Sequence, residues 1–155
     1  MIKENTFTNS NQAKTMAMIV NEVSTYYDID KSKILSPSRI REYAEPRQVI
    51  MFIAKKITSY SLATIGTYFE GKNGRKKDHA TVLHATKAIQ NLIDTDKSKS
   101  KQIEYILNRC IKSVANNSIG TNDQTIIVDS KLGKFITFTG FSQEEINKIE
   151  EVFKN

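Results

Sequence analysis

Apolar positions recur with helical spacing from Met16: Met16, Ile19, Val20, Val23, Tyr26 and Tyr27 share one face of a predicted helix. Ahead of them MIKENTFTNSNQ is polar and without period, so residues 1–13 read as a disordered tail. The three residues 28–30 break the helix, and Asp30 suits the cap of a short helix through Lys33 and Leu35. Ser36-Pro37-Ser38 reads as a loop. Pro46 suits the first turn of the next helix, which runs to about Thr58 and buries Val49, Ile50, Ile53 and Ile57. Ser61 is placed to cap a short helix over 62–69, and Gly71 to stop it. EGKNGRKK, residues 70–77, is expected to be exposed and mobile. Asp78 then caps a helix continuing through Val82, Ile89, Leu92 and Ile93.

Beyond this region the pattern changes. DTDKSKSK is polar, and residues 95–100 read as a linker. Ile103, Leu107, Cys110, Ile111 and Val114 describe an amphipathic helix. TIIV (125–128) and FITFT (135–139) read as two strands around a turn at 130–133. Ser142 and Glu145 form a capping box for a last helix carrying Ile146, Ile149 and Phe153. No internal repeat is visible.

Composition narrows the class. Hydrophobic residues make up 39% of the 155 positions and charged residues 26%, enough for a core and typical of a soluble chain. Cys110 is the sole cysteine, which excludes an internal disulfide framework and suits a reducing compartment. No apolar run approaches the roughly 20 residues that span a bilayer, and the N-terminus has no apolar signal core. The expectation is a cytoplasmic protein without a membrane partner. The net charge is +6 and unevenly spread; from Lys31 to Gln90 basic residues outnumber acidic ones about three to one. Such a local surplus suits a polyanionic partner, and equally a solvated lysine-rich surface.

The only histidines, His79 and His84, lie in KKDHATVLHATKAI, residues 76–89. Five residues on a helix turn about 500°, so the two rings point some 140° apart. Helical zinc ligands sit at i and i+4, and the chain has no CxxC, so no metal is expected. Asp78 beside His79 suits a cap better than the orienting partner of a catalytic base. No GxSxG, HExxH or GxxxxGK[ST] motif is present, and the glycine loop lacks P-loop spacing. Neither an enzyme, nor a cofactor, nor a small-molecule substrate is indicated. The remaining reading is a helix-turn-helix, with the N-terminal residues of the second helix presented to base edges.

Three ordered segments, EPRQVIMFIAKKIT at 45–58, SLATIGTYF at 61–69 and DHATVLHATKAI at 78–89, resemble the C-terminal DNA-binding domain of the DnaA family of replication initiators. YYDIDKSKILSPSRIRE stands where that family has its first helix and basic loop. The resemblance spans Ile19 to Leu92, about half of the chain. It implies a mainly α fold of the Trp-repressor-like helix-turn-helix type over 14–94, binding double-stranded DNA without chemistry. It implies base reading by Lys77, Asp78, His79, Ala80 and Thr81, with Leu62 and Ala63 at thymine methyls or backbone. Arg39 would enter a minor groove, with Arg41 close by. Arg47, Gln48, Lys55 and Ser61 would meet phosphates, although Arg47 also suits a surface ion pair with Glu45 or Glu42. His84 is expected in helix packing or near a phosphate.

Departures from the family pattern bear on the sequence read, the DnaA box. The loop before Asp78 is about five residues longer, which adds Lys72, Arg75 and Lys76 as phosphate contacts. Ala80 replaces a threonine, Lys77 an arginine, Ala63 a proline and Glu45 a basic residue. No Walker A sequence is present, so no ATPase module is expected. Residues 101–155 read as a small α+β extension, helix, hairpin and helix, open to a role in homo-oligomer formation. Origin binding for a host, phage or plasmid, competition with an initiator, transcriptional regulation, and a protein–protein module that kept the fold all stay open.

Overall fold

A computed structural model describes the backbone of residues 2–118, 126–129 and 135–138, and the side chains of residues 12–115. Among these, the α-helices are α1 (Ile2–Tyr27), α2 (Lys31–Leu35), α3 (Arg41–Ile57), α4 (Leu62–Gly66), α5 (His79–Thr95) and α6 (Lys97–Ser118). Outside the helices, β1 (Ile126–Asp129) and β2 (Phe135–Phe138) pair antiparallel, Ile126 opposite Phe138 and Asp129 opposite Phe135. The turn expected at 130–133 and the helix expected after Ser142 lie outside the described residues.

The core is built around α3, which touches α1, α2, α4, α5 and α6. Val49, Ile50, Met51, Phe52, Ile53, Ala54 and Ile57 are all buried. The six consecutive apolar residues 49–54 run right round the helix, so that stretch of α3 must sit inside, while Arg41, Glu42 and Lys55 stay exposed. Met16, Ile19, Val20 and Val23 of α1, Ile34 of α2, Ile65 of α4, and Val82, Ala85 and Ile89 of α5 close over it.

Helix ends follow local chemistry. Asp30 accepts from the Ser32 amide at 2.8 Å to start α2. Ser61 accepts from Thr64 N–H at 3.1 Å to start α4, and Asp78 from Thr81 N–H at 2.9 Å to start α5. At the end of α1, Asp28 takes a left-handed φ of 53°, and Ile29 N–H reaches back to the Ser24 carbonyl. This is a Schellman-type stop, with aspartate in the place glycine usually fills.

Several expectations change. Instead of a disordered tail, α1 begins at Ile2. No proline or glycine interrupts residues 2–27, and each residue added to a helix already anchored by its C-terminal half costs little. Tyr26, on the face expected to be apolar, is 40% exposed, meeting Tyr27 edge-on and Tyr105 at a tilt. Helix α3 starts at Arg41, so Pro46 sits inside it. The Ile40 carbonyl has already accepted from the Tyr43 and Ala44 amides, so a turn forms before the proline removes a donor. Helix α4 stops at Gly66, and Phe69 is buried in the turn that follows.

The largest correction concerns residues 95–100. They form no linker: α5 ends at Thr95, and Asp96 alone joins it to α6. Asp96 accepts from the Ser98 and Lys99 amides and so caps the new helix. Ile103, Ile106, Cys110 and Val114 enter the same core as the other helices, and α6 packs chiefly on α1. Burial pushes the Cys110 thiol up to about 12, so it stays protonated as a small apolar filler. The unit expected at 14–94 therefore includes the helix that follows it.

Candidate nucleic-acid interface

The start of α5 is where the sequence places its readers. His79, Ala80 and Thr81 are exposed in the first turn, while Val82, Ala85 and Ile89 hold the opposite side in the core. Asp78 receives both the Thr81 amide and the Thr81 hydroxyl, at 2.9 and 2.8 Å, through one carboxylate oxygen. These hydrogen bonds to the charged form hold the Asp78 carboxyl below the ordinary range. The Thr81 hydroxyl has spent its proton on Asp78, leaving its methyl and an acceptor lone pair outward. The second Asp78 oxygen remains an acceptor beside His79.

Gly66 sets how closely α4 approaches this turn. A Cβ at position 66 would collide with the Lys77 carbonyl oxygen and come within 3.1 Å of its carbon and 3.3 Å of the Asp78 oxygen. Glycine is required there by close backbone approach, and α5 starts where it does because residue 66 has no side chain.

Residues 70–77, expected to be a mobile loop, form a hairpin. Glu70 pairs with Lys76 in an antiparallel bridge, Gly71 N–H donates to the Arg75 carbonyl, and a 3-10 turn spans Lys72–Gly74. Asn73 and Gly74 reverse the chain with φ of 59° and 71°. Glu70 N–H donates to the Leu35 carbonyl and Lys77 N–H to the Phe69 carbonyl, fastening the hairpin to both neighbouring segments. Lys72, Arg75 and Lys76 are exposed on it.

The basic loop between α2 and α3 lies beside the same place. Arg39, Ile40 and Arg41 are exposed. Lys77 is half-buried, and its ammonium is pushed down first by desolvation, then by the positive charges of Arg47 and Arg39, with Asp78 opposing. Cations from three segments converge there. Arg47, Gln48, Met51, Lys77, Thr81, His84, Ala85 and Ala88 line a groove of about 260 Å³ between α3 and α5.

Placement separates the expected phosphate contacts. Gln48 borders that groove, and the exposed His84 lies on its wall, not in helix packing. Lys55 stands in a second groove of about 350 Å³, where Lys56 and Lys87 join it. Sequence reasoning passed over these two lysines; the signal for Lys87 was its place two turns beyond Ala80 on the same exposed face. Leu62 is half-buried against the core, while Ala63 and Ser61 are exposed at the start of α4. Arg47 is only 7% exposed. It makes neither ion pair suggested for it: Glu45 is bound to Lys99 of α6 at 2.7 Å. Its guanidinium is committed to backbone carbonyls at the end of α2 and in the loop after it.

Comparison with known proteins fits this arrangement. A family model, the bacterial dnaA protein helix-turn-helix, matches residues 16–89. The chain is 42% identical over 92 residues to the chromosomal replication initiator protein DnaA of Ruegeria pomeroyi, covering 59% of this chain and 19% of that protein. To the protein of the same name from Ehrlichia ruminantium it is 39% identical over 103 residues, 66% of this chain and 21% of the relative. It thus spans about a fifth of the length of these relatives. A crystal structure of a DNA replication initiation factor shares the fold with a TM-score of 0.60 at 23% identity, over 69% of this chain and 31% of the other.

Proposed function

We propose that this chain, whose residues 16–89 match the bacterial dnaA protein helix-turn-helix, binds double-stranded DNA in replication initiation or its regulation, in the cytoplasm. The observation that carries this reading is the exposed, capped start of α5 beside a convergence of cations. On this reading α5 enters the major groove and His79, Asp78 and Ala80 face base edges, with the Thr81 methyl available to thymine. Arg39 lies in the neighbouring minor groove, where a narrow A·T-rich stretch deepens the negative potential, and Arg41 stands beside it. Leu62 and Ala63 approach the duplex from α4. Gln48, Lys55, Ser61 and the hairpin cations Lys72, Arg75 and Lys76 flank it at phosphates, and Lys77 joins base reading to backbone. Binding is the whole mechanism, with no chemical step.

Selection of bound duplexes from a random pool, read at two salt concentrations, tests this directly. Expected is one enriched sequence, with affinity falling steeply as salt rises. A pool that shows neither enrichment nor salt-sensitive retention refutes it, and leaves the fold to a protein–protein role.

A further inference from the structure

Three nitrogens of one buried side chain organise the basic loop. Arg47 Nε donates to the Ile34 carbonyl at 2.7 Å, Nη2 to the Ser36 carbonyl at 2.8 Å and Nη1 to the Ser38 carbonyl at 3.0 Å. The rest of the loop is held by short-range bonds. Ser36 Oγ donates to the Lys33 carbonyl, Ser38 N–H to Ser36 Oγ, and Ile40 N–H to Ser38 Oγ. The end of α2 is thereby accounted for carbonyl by carbonyl: Lys33 by Ser36, Ile34 by Arg47, and Leu35 by Glu70 of the hairpin. Ser38, the last residue that Arg47 grips, immediately precedes Arg39, whose side chain is exposed.

From this we infer that Arg47 is a positioning residue: it fixes the path of residues 34–38 and so sets where Arg39 meets the duplex. Its planar fork reaches three carbonyls at once, which a lysine ammonium on a flexible stem does not reproduce. A residue aimed at a phosphate would behave otherwise, since lysine serves there as a point charge. The inference rests on the DNA-binding reading above, and it assigns Arg47 a task through Arg39 in place of its own contact with DNA.

The test compares wild type, Arg47→Lys, Arg39→Ala and the double variant, by fluorescence anisotropy on a selected duplex and on one whose minor-groove flank is changed from A·T to G·C. Expected are a loss of about tenfold in Arg47→Lys, a flattened preference for the A·T flank, and a double variant within about twofold of Arg39→Ala. Wild-type affinity in Arg47→Lys, or losses that multiply in the double variant, overturn the inference. Should Arg47→Lys fail to fold, NMR of the wild-type Arg47 Nε–H decides. Expected is a slowly exchanging proton in the free chain that stays unshifted when DNA is added, while Arg39 shifts; movement of the Arg47 signal overturns the inference. A wild-type chain that binds no duplex overturns both readings, whereas wild-type binding with an unaffected Arg47→Lys overturns this one alone.

Discussion

Replacing Gly66 by alanine sets two effects of opposite sign against each other. Alanine in place of glycine within a helix is worth up to about 1 kcal/mol from backbone entropy. Position 66 closes α4 with no left-handed φ that alanine would have to strain, so this gain is available. Against it stands a Cβ pressed on the Lys77 carbonyl group and 3.3 Å from the Asp78 oxygen. Both obstacles are backbone, so no rotamer change relieves them. Overpacking of this kind costs about 1–3 kcal/mol and more where nothing can give. The net expectation is a loss of about 1–2 kcal/mol. At about 4 °C per kcal/mol for a chain of this size, that is a fall in Tm of about 4–8 °C. The movement that relieves the clash displaces Lys77, Asp78 and His79, so affinity for a selected duplex should fall at least about tenfold even where the variant is folded. Circular dichroism melting followed by anisotropy titration at 25 °C gives both values. A raised Tm with unchanged affinity would show that residues 66 and 77 are not in backbone contact, and would refute the role given to this glycine.

Other consequences can be measured as directly. Ile106→Ala, at a position 1% exposed, should cost about 2–4 kcal/mol; a second, separate melting transition would instead mean that α6 is an appendage. The joint substitution of Lys72, Arg75 and Lys76 by alanine should flatten the log–log salt dependence of binding by about 2–3, near 0.9 for each phosphate no longer neutralised; an unchanged slope would remove the hairpin from the interface. Asp78→Asn addresses acid stability. The folded carboxyl of Asp78 is held below its unfolded value, so its contribution is present above the usual carboxylate range and fades as pH falls through the folded pKa. The wild type should therefore lead Asp78→Asn at neutral pH by a margin that shrinks as pH falls below about 4, and a margin that does not shrink would contradict this account.

The caps were legible because they depend on near neighbours. Asp30, Ser61 and Asp78 each accept from an amide two or three residues on, and that reach is written in the spacing. The order of the helices and the exposure of His79 follow in the same way. Three matters escaped a reading by pattern. DTDKSKSK has the composition of a linker, yet its helix is held by Ile103 and Ile106 further along and by Glu45 far back in the chain. EGKNGRKK has the composition of a loose loop, and becomes a hairpin through Gly71, Arg75, Glu70 and Leu35. Arg47 has the look of a surface cation.

What this sequence determined by itself is where its side-chain caps start α2, α4 and α5 and which faces are apolar, since capping and periodicity act within a few residues. What only the tertiary structure decided is where a charge or a polar stretch ends up once those faces close. Arg47 turned inward because the buried Ile34 and half-buried Ser36 and Ser38 offer three carbonyls to its three donors, and α6 joined the core because an apolar face on α1 lay open to it. Both follow from groups brought together from distant parts of the chain, and their free energy depends on burial that no local window of sequence contains.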